Sequence, residues 1–403
     1  MQTSNGVKTL RDFNLKGKRV LVRCDFNVPL SEKGEIAKRT SSSSLPSLPP
    51  EMKVLDDFRI RKTIPTIKYL IKKGAKVILM SHLGRPEGRQ EKYSLKPIAK
   101  RLEKLLKKKI HPVKSSLREV FAKDEQFNRV KFLDDCIGEK VEKEIEKMKE
   151  KDVILLENLR FHKEEKENET EFAKDLSKLG QIYINDAFAV CHRGHASVVG
   201  IPKYLPSGIG LLLEKEIENL KKIIEKPLLP LVAIFGGREA DFRVINKISK
   251  IAKAILIGFL IKREIEREKI ALKYPKKIIF PIDGVDKKRE NFDIGPRTID
   301  IFKKEISKAK TIFWSGPFGK IEEKKFQRGT KEIAKAIIES GALSVIGGGE
   351  TVEFLNKIGL AKKFSHLSTG GSAMLAFLAG EKLPGIAALE KSEPRSAKLS
   401  GKS

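Results

Sequence analysis

The stretch Leu343–Thr351 reads Leu-Ser-Val-Ile-Gly-Gly-Gly-Glu-Thr. A short apolar run breaks into three glycines, and an acid and a hydroxyl stand where a helix is expected to begin. A strand, a glycine turn and a helix start in this order expose backbone N–H groups at a positive helix end, which suits a phosphate. A lone glycine run is more often a plain turn, so this stretch by itself leaves both interpretations open.

The same pattern recurs along the chain and predicts the fold. Apolar runs that pass at once into polar or glycine residues are Val20–Arg23, Val77–Met80, Val153–Leu156, Ile182–Ile184, Leu231–Phe235 and Thr311–Trp314. Helical spacing over Ile64–Lys73, closed by Gly74, lies between the predicted strands Lys18–Arg23 and Lys76–Met80, and Leu95–Leu106 predicts another helix. Alternating strands and helices predict an α/β fold with doubly wound parallel sheets, whose ligands bind beyond the carboxyl ends of the strands.

The length of 403 residues is too great for one ordinary core and predicts two large domains. Prolines and a glycine before Leu211–Ile224, and Pro227 after it, mark that helix as a hinge helix between them. We therefore expect a first domain over 1–207, a connecting helix over 208–225, a second domain over 226–380 and a closing segment over 381–403 that returns toward the first domain. A Ser/Pro-rich stretch near 38–52 predicts an extended loop or a flexible insertion, and the polar, basic tail Glu390–Ser403 is predicted to be disordered.

Composition excludes several classes of protein. No apolar stretch is long enough to span a bilayer, and the first residues lack a secretory pattern. Three isolated cysteines have no paired metal spacing, which disfavours a disulfide framework or a zinc site and favours a reducing, cytoplasmic location. The net charge of +29 raises the question of nucleic-acid binding, but the lysines are scattered and interleaved with glutamates at helical spacing, as on solvated helix faces. Such a surface also attracts small anionic substrates.

Several residues at the ends of the predicted strands are suited to an anionic ligand. Arg23, Arg85 and Arg160 fall at or just after apolar runs, and the planar guanidinium binds oxygen anions through two parallel hydrogen bonds. Asp25 and Asn27 offer acceptors for a substrate hydroxyl, although Asp25 also suits a turn or helix cap. Each arginine alone is equally consistent with a surface ion pair.

Over nearly its whole length the chain resembles the phosphoglycerate kinase family. The matching blocks of the first half are Arg23–Pro29, Arg59, Ser81–Pro86, Leu156–His162, Asn185–Phe188 and His192–His195. Those of the second half are Gly236-Gly237, Asp293–Pro296, Trp314–Pro317, Gly347–Thr351, Ser368–Gly371 and Leu383–Gly385. The resemblance implies two Rossmann-like domains, with 3-phosphoglycerate bound to the first, a magnesium–adenine nucleotide bound to the second, and reversible phosphoryl transfer from 1,3-bisphosphoglycerate to ADP.

The resemblance also assigns roles. The substrate residues it implies are Arg23, Asp25, Asn27, Arg59, His82, Arg85, Arg160, Arg193 and His195. The nucleotide residues are Gly236, Gly237, Arg243, Pro317, Glu322, Gly347, Gly348, Gly349, Glu350 and Thr351, with Glu350 as the metal-associated acid. Thr351 is also consistent with a simple helix cap, and Glu322, among lysines and a glutamate, with plain surface. The catalytic set is Arg59, Arg243, Gly348 and Gly371, together with Arg238, which we add as the cation that would replace a lysine usual in the family if the loop is shifted. No covalent nucleophile is needed, because phosphoryl transfer depends on positioning and charge neutralisation. The protein is expected to act as a monomer.

Departures from the family pattern lie in the nucleotide half. Where the family usually has Gly-Gly-Ala-Lys, this chain has Gly236-Gly237 followed by Arg238 and Glu239, and Arg243 stands where a second lysine is usual. A carboxylate at position 239 would repel a phosphoryl group, whereas Arg238 would replace the missing cation if the loop is shifted. Ser315, Glu350 and Ser372 replace the usual Asn, Asp and Gly, and the Ile257–Phe259 stretch lacks the small-residue pattern of the adenine pocket.

Three hypotheses follow from these observations. The first is a divergent, cytoplasmic phosphoglycerate kinase. The second is a catalytically weakened relative that binds phosphoglycerate as a sensor or interaction protein, and Glu239 favours it. The third is a basic nucleic-acid-associated protein, which only the net charge of +29 favours.

Overall fold

The computed structural model describes residues 6–31, 52–107, 129–238, 240–286 and 291–390. Glu239, the predicted tail beyond Glu390 and nearly all of the predicted insertion near 38–52 lie outside these ranges. The chain divides into two compact units, Met1–Glu214 with Leu383–Ser403 and Lys215–Lys382. The division falls within the helix Leu211–Ile224.

The first unit is built on a six-stranded sheet. Its strands are β1 (Arg19–Arg23), β2 (Lys76–Met80), β3 (Val130–Phe132), β4 (Val153–Leu155), β5 (Ile182–Asn185) and β6 (Ser207–Ile209). They pair in the order β3-β4-β2-β1-β5-β6, and every pairing is parallel. β1 therefore lies near the centre of the sheet, and its last residue, Arg23, is in register with Met80 and Asn185.

The helices of the first unit are α1 (Phe58–Lys72), α2 (Lys96–Leu106), α3 (Glu139–Glu146), α4 (Glu164–Glu167), α5 (Thr170–Lys178), α6 (Leu211–Ile224) and, after the second unit, α13 (Pro384–Glu390). The first residues of α6 belong to this unit and the rest to the second. A buried stripe at helical spacing, Ile60, Ile64, Ile67, Leu70 and Ile71, attaches α1 to the core.

The predicted start of α1 at Ile64 is wrong by about one and a half turns. The helix begins at Phe58 and contains Pro65, a residue that usually marks a helix end. The turn before Pro65 is held by Asp57, whose carbonyl accepts from the Arg61 backbone and whose carboxylate pairs with Arg61 and Arg101. The ion pair with Arg101, which lies on α2, ties the first turn of α1 to a distant part of the chain.

The second unit repeats the architecture. Its strands are β7 (Leu231–Phe235), β8 (Ala254–Ile257), β9 (Ile278–Ile279), β10 (Gly284–Val285), β11 (Asp293–Ile294), β12 (Thr311–Ser315), β13 (Leu343–Gly347) and β14 (His366–Leu367). Six of them form a parallel sheet in the order β14-β13-β12-β7-β8-β9, and β10 pairs antiparallel with β11. The helices are α7 (Phe242–Ile251), α8 (Phe259–Arg267), α9 (Pro296–Ile306), α10 (Arg328–Glu339), α11 (Gly349–Lys357) and α12 (Gly371–Ala379).

The predicted fold class, two doubly wound parallel-sheet units, is confirmed. Each apolar run singled out in the sequence is a buried strand of one of the two sheets. All three cysteines are free and buried, as expected of small core residues. Within the described ranges no single helix is long and apolar enough to cross a membrane; only α12 and α13, taken together as a bent pair, reach that length and composition.

Candidate active site

Polar residues of the first unit gather beyond the carboxyl edge of its sheet. Arg23 ends β1, His82 follows β2, and Arg160 lies in the 3₁₀ turn Leu159–Phe161 after β4. His195 precedes the π-helical turn Ala196–Gly200. Because all the strands are parallel, their ends lie at one edge, and these side chains are brought together there. We call this group, with the other predicted substrate residues of the first unit, the basic cup.

Within the basic cup, Arg160 combines deep burial with side-chain donors that lack a partner among the described residues. Only 4% of the residue is exposed, and its Nη1 donates to the Gly84 carbonyl at 2.6 Å. Its Nε and Nη2 atoms are buried with no partner in the described part of the protein. Burial, followed by the charges of Arg23 and Arg193, lowers the pKa of Arg160 to about 10. Buried donors are almost always satisfied, so the two unpaired donors of this guanidinium are suited to an anionic ligand.

The two predicted histidines of the basic cup are buried and neutral. Burial and then Arg23 and Arg160 hold the pKa of His82 well below its ordinary value. Burial and then Arg160 and Arg23 lower the pKa of His195 to about 3. A neutral imidazole carries one N–H, so each ring can donate a hydrogen bond to a carboxylate or phosphate without being charged.

The side chains of Asp25 and Asn27 organise the mouth of the basic cup. Asp25 is 2% exposed and forms an ion pair with Arg59, whose side chain is 28% exposed. Asn27 is exposed, and its Oδ1 accepts from the Gly84 backbone N–H at 2.8 Å. Arg85 follows Gly84 and is exposed, while Arg193 is half-buried. Asp25 therefore aims Arg59, and Asn27 fixes the loop that carries Arg85.

Arg23 is placed differently from a simple binding residue. It has no exposed surface, and all three of its side-chain nitrogens have contacts inside the protein. In this structure Arg23 therefore lies behind the surface that a substrate would touch, and its direct contact with substrate stays a prediction.

In the second unit, backbone loops rather than side chains dominate the carboxyl edge. Gly236 and Gly237 follow β7, Gly316 follows β12, and Gly348 follows β13. A Cβ atom on Gly316 would lie 2.1 Å from the Gly236 carbonyl oxygen, so only glycine allows these two loops to approach. Gly316 (φ +85°) also adopts a backbone conformation that favours glycine.

Helix α11 starts at the glycine-rich stretch of β13, as the sequence predicts. Its N-cap is Gly348, with φ 87°, followed by Gly349, Glu350 and Thr351 in the first turn. Thr351 is fully buried, and its Oγ1 has no hydrogen-bond partner among the described residues. Helix α12 likewise begins at Gly371. Both helix starts present backbone N–H groups and a positive dipole end, which favour phosphate.

A cavity of about 640 Å³ lies beside these loops. Five of the predicted residues line it: Gly237, Arg238, Pro317, Glu322 and Glu350. Phe259, in the stretch that the sequence analysis compared with an adenine pocket, also lines the cavity. The sequence did not identify the rest of the wall, which includes Leu260, Arg263, Glu264, Phe292 and Phe318. Aromatic faces next to an exposed carboxylate suit a flat base joined to phosphates that carry a metal ion.

The two candidate cations of the altered loop lie in different surroundings. Arg238 is exposed and lines the cavity. Arg243 is not one of the residues that line it; its guanidinium is paired with Asp241, at 2.7 Å from Nη2, and with Glu381. Asp241 and then Glu381 raise the pKa of Arg243. Of these two candidates, Arg238 is thus the one that faces the cavity, whose lining also includes Arg263, Arg267 and Lys320.

Sequence reasoning missed two buried carboxylates. Glu165 on α4 is fully buried among the residues of the basic cup. Glu216 on α6 is fully buried in the second unit, where it accepts from the Thr369 N–H at 2.7 Å, the Thr369 hydroxyl at 2.8 Å and His366 Nε2 at 2.8 Å. Burial alone would raise the pKa of Glu216, but His366 and Thr369 hold it below its ordinary value. Glu216 thereby fixes the loop that leads to Gly371.

The structure also brings His162 next to Asp135 and Cys136, which are consecutive in the sequence. Asp135, Cys136 and His162 each offer one atom within 4.8 Å of the others. His162 Nε2 lies 2.7 Å from Asp135 Oδ1, and this hydrogen bond raises the pKa of His162 and accounts for the pairing. The group therefore needs no ion to explain it.

Comparisons with known proteins identify relatives along the whole chain. The family model described as phosphoglycerate kinase matches residues 10–266 and 259–381. The phosphoglycerate kinase of Dictyoglomus turgidum is 42% identical and covers 94% of this chain and 98% of its own, and that of Aquifex aeolicus is 40% identical and covers 96% and 99%. The crystal structure of the Pyrococcus horikoshii phosphoglycerate kinase aligns with a TM-score of 0.78 at 29% identity, covering 95% of this chain and 98% of that one.

Proposed function

Since the chain belongs to the phosphoglycerate kinase family, we propose that the basic cup binds 3-phosphoglycerate and that the glycine loops of the second unit bind ADP or ATP. The protein is a phosphotransferase with a carboxyl group as acceptor. It transfers a phosphoryl group reversibly between 1,3-bisphosphoglycerate and ADP, a step of glycolysis and gluconeogenesis.

The observation that carries the substrate assignment is the pair of unpartnered donors on Arg160. A nearly buried guanidinium with two free donors requires an anionic oxygen nearby to recover its lost hydration. 3-Phosphoglycerate offers both a phosphate and a carboxylate. Arg160, Arg193 and Arg85 supply the charge, and His82 and His195 donate without adding charge. Asp25 or Asn27 would accept the one hydrogen of the substrate hydroxyl.

The nucleotide assignment rests on the cavity and the helix starts of the second unit. The base would lie against Phe259 and Phe318, with Glu322 beside the ribose. The phosphates would reach the N–H groups at Gly348 and Gly371 and the guanidinium of Arg238. The unpartnered Thr351 hydroxyl would hydrogen-bond to a phosphate oxygen or to a water molecule there.

Magnesium fits the donors present. Glu350 is an exposed carboxylate at the first turn of α11 and faces the cavity. Mg²⁺ prefers oxygen ligands and commonly uses one or two carboxylates together with nucleotide phosphates. Glu350 would hold the ion, which when bound supplies charge neutralisation between the phosphates.

The residues present can carry out phosphoryl transfer without a covalent intermediate. The transition state is loose, and its charge lies on the equatorial oxygens of the transferred group, so cations and N–H groups that are already in place lower the barrier. Arg59, held by Asp25, and Arg238 are the cations proposed for this task. A loss of one well-aimed donor in such a site typically costs 10²–10³ in rate.

A second candidate, a catalytically weakened relative that binds phosphoglycerate, is favoured by one observation. Arg243, expected at the phosphates, is bound to Asp241 and Glu381 instead. In that case Arg238 would be the one of the two candidate cations, Arg238 and Arg243, left to serve the phosphates. We further propose that the protein is a cytoplasmic monomer. In this proposal the first unit binds the substrate, the second unit binds the nucleotide, and α6 is the helix that connects them in the chain.

Isothermal titration calorimetry with 3-phosphoglycerate tests the substrate assignment. Arg160→Ala should weaken binding by about 100-fold, because charge-assisted hydrogen bonds from a buried guanidinium contribute about 1.5–3 kcal/mol. Arg297→Ala, an exposed arginine on α9 of the second unit, is the matched control and should keep wild-type affinity. Wild-type affinity in a folded Arg160→Ala protein would remove the basic cup from substrate binding.

A further inference from the structure

Glu165 lies behind the basic cup and makes two hydrogen bonds to one residue. It is fully buried on the short helix α4. Its Oε2 accepts from the Ser197 backbone N–H at 2.9 Å, and its Oε1 accepts from the Ser197 hydroxyl at 2.6 Å. A carboxylate can accept at both oxygens at once, so this double contact fixes both the position of Ser197 and the direction of its hydroxyl hydrogen.

Ser197 passes this orientation to Arg23. With its hydrogen committed to Glu165, the Ser197 oxygen has only lone pairs left, and it accepts from Arg23 Nε at 2.8 Å. Arg23 Nη1 donates to the Cys24 carbonyl, and Arg23 Nη2 lies 3.9 Å from Glu165 Oε1. Ser197 and Arg23 are both fully buried, so the carboxylate supplies the counter-charge that a buried guanidinium requires.

Arg23 in turn determines the state of His82. Arg23 Nη2 lies 3.2 Å from His82 Nδ1. A guanidinium can only donate, so Nδ1 of His82 must accept and cannot carry the ring hydrogen. A neutral His82 then carries its hydrogen on Nε2, which leaves Nε2–H as the donor for a ligand. The contact with Arg23 is made at Nδ1 of the ring, whereas the proposed contact with the substrate is made at Nε2.

We infer that Glu165 is a positioning residue of the phosphoglycerate site: through Ser197 and Arg23 it locks His82 in the Nε2–H tautomer that donates to the substrate. This inference rests on the proposed function for the identity of the ligand. It assigns Arg23 to the support of His82, which explains why an arginine at the end of a central strand has no exposed surface. It also gives a role to an acid in a Lys/Glu-rich segment that otherwise looks like protein surface.

The tautomer itself is measurable without any ligand. Nitrogen-15 NMR of histidine-labelled protein, with the His82 signal assigned from a His82→Asn variant, should show Nδ1 as the unprotonated nitrogen and Nε2 as the protonated one in wild type. An Nδ1–H tautomer or a rapidly exchanging mixture in wild type would overturn the inference, whatever the protein binds.

Glu165→Gln tests the first link. An amide can accept at only one of its two terminal atoms, so one of the two hydrogen bonds to Ser197 must be lost. The His82 spectrum should change to a tautomer mixture or to Nδ1–H. Glu167→Gln, an exposed acid on the same helix, is the control and should leave the His82 spectrum as in wild type. An unchanged His82 spectrum in a folded Glu165→Gln protein would refute the relay.

Ser197→Ala breaks the relay while leaving the charge of Glu165 in place, and it covers the case in which Glu165→Gln does not fold. It should perturb the His82 tautomer and weaken 3-phosphoglycerate binding by about ten-fold, the loss of one aligned donor. Unchanged affinity together with an unchanged spectrum would also refute the inference. If wild-type protein shows the Nε2–H tautomer but no binding of 3-phosphoglycerate, the proposed substrate is wrong and the relay stands.

Discussion

The two candidate binding regions are built in different ways. The basic cup of the first unit consists of side chains that are mostly buried and fixed by one another, such as Arg160, His82 and the Asp25–Arg59 pair. The nucleotide region consists of backbone loops with exposed side chains, such as Arg238 and Glu350. Substitutions in the cup should therefore affect stability and function together, whereas those of exposed side chains in the nucleotide region should affect function alone.

Arg59→Ala should have the largest effect. Loss of this cation should lower kcat by about 100-fold or more. The partner Asp25 is 2% exposed and would lose its ion pair, so the free energy of unfolding should also fall, by about 1–3 kcal/mol. Steady-state kinetics and urea unfolding check both parts. A variant with normal kcat would exclude Arg59 from the reaction. A variant with normal stability would show that the Asp25–Arg59 ion pair does not stabilise the fold, and that substitutions in the basic cup need not affect stability and function together.

Arg238→Ala should have the next largest effect, and it should be confined to function. We expect kcat/KM for ATP to fall by about ten-fold or more, because Arg238 lines the cavity as an exposed cation. Stability should stay within about 0.5 kcal/mol of wild type, as for most surface substitutions. Arg243→Ala, which removes the guanidinium paired with Asp241 and Glu381, should cost less activity.

Glu239→Lys complements this comparison. If Arg238 serves the phosphates, Glu239→Lys should leave turnover nearly unchanged or reduced. If instead Glu239→Lys raises turnover about ten-fold while Arg238→Ala does little, the carboxylate at position 239 opposes the reaction and the assignment of Arg238 is wrong.

Thr351→Val should have a smaller effect that separates binding from packing. The substitution keeps the shape of the buried side chain and removes a hydroxyl without a partner. The free energy of unfolding should therefore be unchanged or slightly higher, while nucleotide affinity falls by roughly five-fold. Calorimetry with MgADP and thermal unfolding measure the two quantities. A destabilised variant with normal affinity would show that the hydroxyl serves packing only.

The last expected effect concerns the pH dependence of stability alone. The folded protein lowers the pKa of His195 to about 3 through burial and then Arg160 and Arg23, against an ordinary value of 6.5. Between these values the unfolded chain binds a proton that the folded protein does not, so the free energy of unfolding falls as the pH falls.

His195→Gln should therefore lose less stability than wild type on acidification. The difference per group is at most about 1.4 kcal/mol for each pH unit. Denaturant unfolding at about pH 7.5 and about pH 5 gives the two slopes. Parallel losses in both proteins would show that His195 does not contribute to the acid sensitivity of the cup.

The sequence predicts the fold well because strand runs and helix spacing are local signals. The strand Lys76–Met80 and the helix Leu211–Ile224 have the predicted bounds, and α11 follows the glycines after β13. The start of α1 could not be predicted, because the turn before Pro65 depends on contacts of Asp57 with residues as distant as Arg101.

The candidate site could be predicted only in part. Strand-end arginines are visible in the sequence, but the degree of burial of Arg23 and Arg160 depends on residues that close over them from elsewhere in the chain. Glu165 has no local signal, since it lies among lysines and glutamates like a surface residue. Glu216 had one: it falls three residues after Leu213 and four before Leu220, on the buried face of α6.

The rate at which the purified wild-type protein forms 1,3-bisphosphoglycerate from 3-phosphoglycerate and MgATP tests the central claim most directly. A coupled assay should detect turnover at a kcat of the order of 1–100 s⁻¹, the usual range for kinases. A protein that binds 3-phosphoglycerate by calorimetry and shows no turnover at saturating MgATP would contradict the account. It would establish instead a phosphoglycerate-binding relative whose nucleotide region has lost the reaction.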